Sequence, residues 1–388
     1  MKIHVKTMLI RMLKWIFLTV CAVLLVIVNI LLFWYLRPNT VHRNALERSL
    51  QFERMCVIRS GRHNSMTDLT RWNGTYYLAF RAAGSHFAWG ASKIVVMRSR
   101  DACKWEPVAE LRIDEDIRDP KFGQIGSKLF LYVLKNVVWD AAPYATLYTF
   151  TANGTDWAPF SPVRLNTESD EWIFWRPKTR DHRIWYVPAY WKDLGRVVLF
   201  TSCNGVDWNT VSSIYQGERV NETAIEFLPD GRMLALMRVE GGSSYFGDRM
   251  ASSMIAASAP PYTEWSRVRS RLSRLDGPCL FSYKNQIYVL GRYQPETDDF
   301  LLKCGSLLSK KRTSIYKLSE DTLVHIMDLP SSGDTAYGSV VLNNSEMIFA
   351  YYTSAVTHDF PWIMGMFGRA SIQVCRADCS GLNVAGDE

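Results

Sequence analysis

The chain has 388 residues, of which 48% are hydrophobic and 13% aromatic, so it is long enough to bury a large core. Its formal net charge is +7, but residues 1–50 hold seven Lys or Arg and one Glu, which leaves +1 for the remaining chain and excludes a basic face for nucleic acid. Eight cysteines without a C-x-x-C pair exclude a zinc ribbon, and no nucleotide-binding or zinc-protease motif occurs.

The N-terminal segment is apolar enough to cross a membrane. Trp15–Leu36 holds 22 residues with only Thr19 and Asn29 as polar interruptions, enough for a hydrocarbon core of roughly 30 Å. Four cations precede it: Lys2, Lys6, Arg11 and Lys14. The positive-inside rule predicts a cytoplasmic tail at 1–14, a signal anchor in the bilayer at 15–36, and the rest of the chain outside the cytoplasm. The alternative is a cleaved signal peptide, although a signal peptide has a shorter apolar region.

After a juxtamembrane linker at 37–52, one unit recurs six times. Each copy has a run of β-forming residues, a turn rich in Gly, Asn or Asp, and a second run. The turns fall near residues 73, 126, 181, 230, 284 and 343, at spacings of 49 to 59 residues. These units predict six β-hairpins of similar construction.

A second repeat runs in step with the hairpins. Its pattern, S/T-x-D/N-G-x-x-W, occurs at 99–105, 151–157 and 202–208, with a degenerate copy at 258–265. The Asp or Asn makes the turn and the Trp packs between sheets, so this element is structural. Two repeats in register every 50 residues or so predict an all-β, six-bladed β-propeller. We expect it to span 53–376, with Cys56–Ile58 supplying an outer strand that closes the last blade and with a C-terminal tail at 377–388.

The fourth hairpin, NETAIEFLPDGRMLALMR at 221–238, has charged residues at both ends. Asp230-Gly231 predicts a two-residue turn, because this pair adopts positive φ readily. Glu222 and Arg238 then lie at the same end of the hairpin. They form either a surface ion pair or part of a functional site.

Arginine recurs at one position of the hairpins. Eight residues after the turn, the first, fourth and fifth units carry Arg81, Arg238 and Arg292. Equivalent positions of a propeller form a ring about the axis, where three guanidiniums would bind a carboxylate or phosphate. The alternative is that each arginine pairs with a neighbouring acid.

Polar and aromatic residues also recur near the start of each innermost strand. They are Asp68, Arg118-Asp119, Trp175-Arg176, Glu222, Asp276, and Asp334 with Tyr337. Six blades that each place such residues at one end predict a lined funnel, the usual position of a propeller site.

The six-bladed plan, the Asp-box repeats and the three arginines resemble the sialidase (neuraminidase) superfamily. The motifs LAFR, IRDPK, NET-x3-FLPDGRMLALMR, GDTAY and FAYYTS look most like its uncharacterised sialidase-like branch with BNR repeats. The resemblance implies that Arg81, Arg238 and Arg292 hold a substrate carboxylate. It also implies that Tyr337 is the nucleophile and that Glu222 is its base. A neutral phenol avoids the repulsion that a carboxylate nucleophile would meet beside an anionic sugar.

The chain departs from the family in the loop after Arg81. Sialidases carry an acid/base aspartate there, but residues 82–93 contain no Asp or Glu, and His86 is the candidate. Asp119 is the other candidate, since Arg118-Asp119-Pro120 is similar to the RDP motif of five-bladed furanosidases. Arg118, Arg176, His86 and Asp334 are expected to complete the substrate-binding surface.

The leading hypothesis is therefore a membrane-anchored exo-glycosidase for terminal acidic sugars, without a cofactor or metal. One alternative is a hydrolase of another acidic or furanose sugar that uses Asp119. A second is a non-catalytic propeller that binds glycans, and a third is a scaffold for protein contacts. The acidic carbohydrate and the lipid bilayer are the expected partners.

Overall fold

Six sheets, antiparallel apart from one short parallel pairing in the third, follow one another along the chain in a computed structural model that describes residues 2–40, 50–140, 143–242, 245–270 and 274–382. Each sheet is one blade of a propeller, as predicted. Before the blades come helix α1 (Lys2–Leu36) and strand β1 (Phe52–Ile58). Part of the predicted linker, 41–49, lies outside the described residues.

Helix α1 contains the predicted anchor. Its segment Lys6–Leu36 has 31 residues, includes an 18-residue stretch with a mean hydropathy of 3.1, and is long and apolar enough to cross a membrane. The polar side chains of Thr19 and Asn29 donate hydrogen bonds to the backbone carbonyls of Trp15 and Leu25 within the helix. One donor of each of these two side chains is therefore satisfied within the apolar helix.

In blades 1 and 2 the innermost strand is the longest, whereas in blade 3 an outer strand is the longest. Blade 1 consists of β2 (His63–Trp72), β3 (Thr75–Ala83), β4 (Lys93–Ser99) and β5 (Glu106–Arg112). Blade 2 consists of β6 (Asp116–Ile125), β7 (Lys128–Asn136), β8 (Pro143–Thr151) and β9 (Ser161–Pro162). Blade 3 contains β10 (Arg164–Leu165), β11 (Trp172–Phe174), β12 (Lys178–Thr179), β13 (Trp185–Trp191), β14 (Arg196–Ser202) and β15 (Asp207–Gln216).

The last three blades repeat the plan, and the ring closes in blade 6. Blade 4 consists of β16 (Val220–Phe227), β17 (Met233–Val239), β18 (Ser252–Ser258) and β19 (Ser266–Ser270). Blade 5 consists of β20 (Asp276–Tyr283), β21 (Gln286–Tyr293), β22 (Arg312–Leu318) and β23 (Leu323–Asp328). Blade 6 consists of β24 (Ser332–Asn343), β25 (Glu346–Ala355) and β26 (Ser371–Asp378), with helix α2 (Trp362–Phe367) before β26 and a short 3₁₀ helix (Cys379–Leu382) after it.

Strand β1 is the outer strand of blade 6. It pairs antiparallel with β26, from Phe52 opposite Ala377 to Ile58 opposite Ile372. This confirms the prediction that the segment around Cys56–Ile58 closes the ring. The pairing joins the two ends of the propeller domain, which removes the exposed sheet edges that an open ring would leave.

Three of the repeated turns share one hydrogen-bonding scheme. A side-chain oxygen of Asp101, Asn153 or Asn204 accepts two backbone N–H groups, two and three residues later, at 2.8–3.0 Å. Trp208, which ends the third copy, is buried. These contacts make the turns self-sufficient, which fits a structural element with no part in chemistry.

The turn of the fourth hairpin differs from the prediction of a two-residue turn. Leu228 pairs with Arg232 through a 2.8 Å hydrogen bond, which leaves the three residues Pro229–Gly231 in the loop. Of these, Gly231 alone has a positive φ, at 90°. A two-residue turn would need a backbone N–H from Pro229, which proline lacks, so the loop is one residue longer.

The innermost strands share a feature that the sequence did not indicate. In β2, β6, β16 and β20 a β-bulge of two residues interrupts the pairing near the start of the strand, and β24 has two such bulges. Bulges re-aim side chains and are common beside functional sites. The bulges of β6, β16 and β24 contain Asp119, Glu222 and Tyr337, so these three side chains leave the regular sheet pattern at the same end of the propeller.

Candidate active site

Tyr337 and Glu222 form the centre of the site. The Tyr337 hydroxyl donates a hydrogen bond of 2.5 Å to Oε1 of Glu222, and both side chains are buried. Tyr337 has a φ of 43° and the preceding Ala336 a φ of 87°. Positive φ at residues of this kind costs of order 1–3 kcal/mol and is concentrated at functional sites. The fold therefore holds Tyr337 against local strain in contact with a carboxylate.

The second oxygen of Glu222 binds two other donors. Oε2 accepts a hydrogen bond of 2.7 Å from the backbone N–H of Gly277 and lies 2.9 Å from Nη1 of Arg238. Burial raises the pKa of Glu222, with Arg238 opposing the shift. Burial and the nearby Glu222 charge raise the pKa of Tyr337 well above its ordinary value. The proton therefore stays on the phenol in the resting site, with Glu222 as its acceptor.

Arg238 connects this pair to the rest of blade 4. Its Nε donates to Asn221 at 2.7 Å, its Nη2 donates to Glu240 at 2.8 Å, and its Nη1 lies 3.4 Å from the Tyr337 hydroxyl. The hairpin brings Arg238 and Glu222 together as an ion pair, as the sequence predicts. This pair is buried in the site and does not lie on the surface.

Arg292 also reaches the centre, from blade 5. Its guanidinium binds Oδ2 of Asp276 at 2.9–3.0 Å and Oδ1 of Asp334 at 3.1 Å. It lies 5.3 Å from the ring centroid of Tyr337 and 4.3 Å from that of Trp362. Two carboxylates and two aromatic faces thus surround this buried cation.

Arg81 is engaged in a different set of contacts. Asp116 binds its Nε and Nη2 at 2.8 and 2.6 Å, and the carbonyls of Ser85 and Phe87 accept further hydrogen bonds. The side chain has no exposed surface, and burial lowers its pKa to about 10. Arg118 binds the other oxygen of Asp116 at 2.6 Å. Each of the three ring arginines is therefore paired with acids, which was the alternative to an open anion site.

Asp119 has an unusual environment. It has a φ of 51°, it is buried, and its Oδ1 has no hydrogen-bond partner among the described residues. Lys121 Nζ lies 3.9 Å from that oxygen and 4.6 Å from the ring centroid of Trp175. Burial lowers the pKa of Lys121 to about 8, with Asp119 opposing the shift. The charge of Asp119 acts on both Glu222 and Tyr337, so its carboxylate belongs to the same site.

Arg176 stabilises the backbone next to Tyr337. It forms an ion pair with Asp68, and its Nη2 donates to the carbonyl of Gly338 at 2.6 Å. Asp68 in turn accepts the backbone N–H of Phe122 at 2.6 Å. Arg176 therefore ties the strained segment that follows Tyr337 to the inner strands of blades 1 and 2.

Asp334 accepts hydrogen bonds from five side chains. Oδ2 receives His86 Nδ1 at 2.7 Å and His63 Nε2 at 3.0 Å. Oδ1 receives Arg292, Tyr352 and Trp362 at 3.1, 3.0 and 2.8 Å. Burial by itself would raise the pKa of Asp334, but the two histidines hold it well below its usual range. Asp334 is thus a buried anion that joins blades 1, 5 and 6.

The same cluster is the group in the described residues that could hold a metal ion. One ligand atom from each of His63, His86 and Asp334 lies within 4.8 Å of the others. The His–Asp separations are those of direct hydrogen bonds, shorter than the roughly 3.3 Å expected between two ligands of one tetrahedral zinc. His63 also directs Nδ1 to the Gly368 carbonyl at 2.8 Å. The arrangement therefore resembles a hydrogen-bonded network more than a metal centre.

His86 is the residue of this cluster that retains contact with solvent. Its backbone N–H donates to Met366 O at 2.9 Å, which fixes the 82–93 loop against helix α2. Since a carboxylate can only accept, Nδ1 carries the hydrogen directed at Asp334, and Nε2 is the atom left for proton exchange. Burial lowers the pKa of His86, so the neutral ring is favoured.

A cavity of about 350 Å³ adjoins the Arg238 side of the site. Its lining includes Arg219, Glu240, Tyr245, Arg274 and Trp362. The volume is in the range of small-ligand sites. Larger clefts of about 460 and 630 Å³ lie among ion-paired residues of the outer strands of blades 1 and 6, away from the converging inner strands.

Sequence reasoning missed several members of the site. His63, Asp116, Tyr352 and Trp362 all contact predicted residues, but none belongs to a repeat of its own type. Asp116 had one available signal, since it stands two residues before Arg118 in the motif D-I-R-D. His63 contacts a partner 271 residues away, which no local pattern indicates.

No protein-family model matches the chain, and a search of curated protein sequences finds no match. Solved structures do resemble it. A protein of unknown function from Dyadobacter fermentans has a TM-score of 0.63 and 15% identity, with 87% of this chain and 99% of that chain covered. An endosialidase of phage phi92 has a TM-score of 0.61 and 12% identity, with 85% and 69% covered.

A third similar structure is a Trypanosoma rangeli sialidase in complex with sialic acid, with a TM-score of 0.55 and 11% identity. The match covers 84% of this chain and 58% of that one, so this chain spans little more than half of that sialidase. Such identities establish the fold and leave the chemistry to the site itself. The chain therefore has the six-bladed propeller fold that these sialidases share.

Proposed function

We propose that this chain is a membrane-anchored glycoside hydrolase of the sialidase type that acts on terminal acidic sugars. The observation that carries the proposal is the buried hydrogen bond of 2.5 Å between Tyr337 and Glu222. In an acidic sugar with a carboxylate beside the anomeric carbon, a neutral phenol approaches that carbon without charge repulsion. Glu222 is placed to take the phenol proton as the bond forms.

The reaction has two steps. First, Oη of Tyr337 bonds to the anomeric carbon, its proton passes to Glu222, and the bond to the leaving oxygen breaks as that oxygen takes a proton from an acid. Second, water attacks the anomeric carbon and gives a proton back to that acid, while the Tyr337–carbon bond breaks and Tyr337 recovers its proton from Glu222. Both steps pass through charge separation that a buried, preorganised site stabilises.

Asp119 is the acid that the contacts support best. Its buried Oδ1 has no hydrogen-bond partner among the described residues, and a buried acceptor left unpaired is costly unless a ligand supplies a donor. A sugar hydroxyl is such a donor, and a protonated carboxyl group at the same place can donate to the glycosidic oxygen. The alternative acid is His86, which Asp334 orients through a 2.7 Å hydrogen bond.

The substrate carboxylate would bind near Arg238, with Arg292 behind it. When Glu222 takes the phenol proton it loses its charge, and Arg238 then loses one of its three nearby anions. An incoming carboxylate would compensate for that loss at the moment it occurs. Arg81 would act indirectly, because its hydrogen bonds to the 85–87 backbone hold the loop that carries His86.

The test is turnover of a fluorogenic sialoside by the full chain in detergent, comparing the wild type with Tyr337→Phe. Tyr351→Phe is the matched control, since Tyr351 is a buried tyrosine of the same blade that bonds the Pro330 carbonyl. We expect activity in the wild type and the control and none in Tyr337→Phe. Equal activity in Tyr337→Phe and Tyr351→Phe would exclude Tyr337 as the nucleophile.

A non-catalytic glycan-binding propeller is the second candidate. The observation that favours it is that the loop after Arg81, residues 82–93, contains no Asp or Glu to act as the acid. Such a protein would bind an acidic saccharide and release it unchanged, which mass spectrometry of the saccharide after incubation detects. A panel of uronides and furanosides in the same assay tests the remaining alternative, a hydrolase of another sugar that uses Asp119.

A further inference from the structure

The long loops of the propeller lie at the end where the site is. In each blade the connection from the second strand to the third returns to the end where the innermost strand begins. The connection of blade 3 is short, at 192–195, and the other five occupy residues 84–92, 137–142, 240–251, 294–311 and 356–370. Their described parts form a rim around the mouth of the site. The short hairpin turns occupy the opposite end.

Exposed apolar side chains are concentrated on this rim. Among the described residues outside α1, six aromatic side chains are exposed, and all six are in these loops: Trp89, Trp139, Tyr245, Phe246, Phe300 and Phe367. Trp139, Tyr245 and Phe300 are 75–78% exposed, which is unusual for large apolar residues on a surface that faces only water. We call these six residues the aromatic rim.

Some members of the rim support one another. Phe367 lies 5.1 Å from Phe87 and 5.4 Å from Trp89 between ring centroids, and Phe87 stacks on Trp89 at 5.1 Å. The backbone N–H of Trp139 donates to Ala88 O in the neighbouring loop at 2.5 Å. Blades 1, 2 and 6 therefore present one continuous apolar edge.

The anchor helix enters at the same end. Arg37, the first residue after α1, accepts a hydrogen bond of 2.9 Å from the backbone N–H of Asp359, and Pro38 forms a β-bridge with His358. Tyr35, in the last turn of α1, stacks on the His358 ring at 5.1 Å. No spacer separates the apolar helix from the 356–370 loop, which carries Phe367.

This junction fixes the height of the propeller above a bilayer. The helix ends in Phe33-Trp34-Tyr35, aromatic residues of the kind that occupy the boundary between lipid and water. If Tyr35 lies at that boundary, so does the His358 that it contacts. The rim belongs to the same end of the propeller, and its aromatic side chains suit the same environment.

We propose that the site end of the propeller lies on the bilayer surface, with the aromatic rim inserted into the lipid interface. The cavity lined by Tyr245 and Trp362 then opens at the membrane, and water-soluble saccharides reach it only from the side. The preferred substrate is accordingly an acidic sugar carried on a lipid, a conclusion that rests on the proposed function. The position of the aromatic rim at the bilayer does not rest on the proposed function.

Photocrosslinking tests the position of the rim directly. A benzophenone amino acid replaces Trp139 or Phe300 in the full chain, which is reconstituted in phosphatidylcholine vesicles and irradiated. Val26, exposed within α1, is the positive control, and Ala152, exposed in a hairpin turn at the opposite end, is the negative control. We expect lipid adducts by mass spectrometry at 26, 139 and 300, at about tenfold the yield at 152. Adducts at 26 but none at 139 and 300 above the yield at 152 overturn the proposal.

A rim variant separates this inference from the proposed function. Trp89→Ser, Trp139→Ser and Phe300→Ser together leave every residue of the proposed site in place. We expect turnover of a sialylated lipid in vesicles to fall by about tenfold, while turnover of a soluble sialoside stays within about twofold. An equal effect on both substrates contradicts a role of the rim in substrate access. If the wild type turns over neither substrate, the proposed function fails, and crosslinking still decides the position of the rim.

Discussion

Asp334→Asn should destabilise the protein strongly, because Asp334 is a fully buried anion with five donors. The asparagine keeps one oxygen for Arg292, Tyr352 and Trp362. At the other position it places an NH₂ group opposite His63 and His86, so two hydrogen bonds to a charged acceptor are lost and Arg292 keeps one close carboxylate. Removing one partner of a buried ion pair costs about 3–5 kcal/mol.

The measurement is chemical denaturation of the full chain in detergent at pH 7, followed by tryptophan fluorescence. Asp298→Asn is the control, since Asp298 is exposed and such changes usually stay within about 0.5 kcal/mol. We expect the free energy of unfolding to fall by about 3–5 kcal/mol for Asp334→Asn. A loss of less than about 1 kcal/mol would refute the view that this carboxylate is the charged centre of the network.

The pH dependence of the difference in unfolding free energy between the wild type and Asp334→Asn gives a second check. The pKa of Asp334 is held well below its usual value in the folded protein. Its contribution is therefore complete above the unfolded pKa of about 3.9 and is lost only as pH falls towards the folded pKa. The difference in unfolding free energy between wild type and Asp334→Asn should stay constant from about pH 5 to 8 and become smaller only below about pH 4. A gap that narrows already near pH 6 would indicate that the histidines carry the effect.

Three further predictions concern single residues. Glu222→Gln should lower turnover about 10²–10⁴-fold by removing the base. The control is Glu226→Gln, on the same strand as Glu222, which breaks an ion pair with Lys178 and should leave at least half the activity. Equal losses of activity in the two variants would contradict the assignment of Glu222 as the base. Arg81→Met should reduce the free energy of unfolding by about 3–5 kcal/mol by leaving Asp116 short of a partner, and an unchanged denaturation midpoint would argue against that pair. Burial lowers the pKa of Lys311 to about 7, so above that pH the unfolded chain binds one proton that the folded chain does not. The free energy of unfolding of the wild type relative to that of Lys311→Met should therefore rise by about 2 kcal/mol from pH 7 to 9. A difference in unfolding free energy that does not change with pH would contradict the pKa shift.

The fold was predictable because the propeller repeats itself. Each blade needs its own hairpin turn, and four of the blades also carry a copy of the turn that ends in tryptophan, so the pattern recurs with the blades. The pairing of Glu222 with Arg238 was predictable for a related reason, since a hairpin brings the start of its first strand to the end of its second. Both inferences use contacts that are local in sequence.

The ring of arginines shows where such counting fails. Arg81 pairs across its hairpin with Ser65 and Arg292 with Asp276, one step beyond the bulge of the first strand. Arg238 instead lies opposite the bulge that contains Glu222. Positions that are equal by counting from the turn are therefore not equal in space. A bulge is a local change of backbone that the residue pattern does not reveal.

The network around Asp334 was out of reach for a different reason. Its donors come from three blades, and its contacts with His63 and His86 span 271 and 248 residues of sequence. Such contacts exist only once the ring has closed, so no segment of the chain carries a sign of them. The resemblance to sialidases indicated Tyr337 through the motif GDTAY, but it gave no indication of the partners of Asp334.

The pairing of β1 with β26 has a consequence for how the protein is made. Strand β1 follows the anchor closely in sequence, whereas its partner ends at Asp378. Synthesis from the N-terminus therefore produces helix α1 and β1 first and completes the ring only after every other blade has been synthesised. During that interval β1 has no partner strand, and closing a loop of this length is slow. The propeller can therefore be complete only after β26, the last strand, has been synthesised.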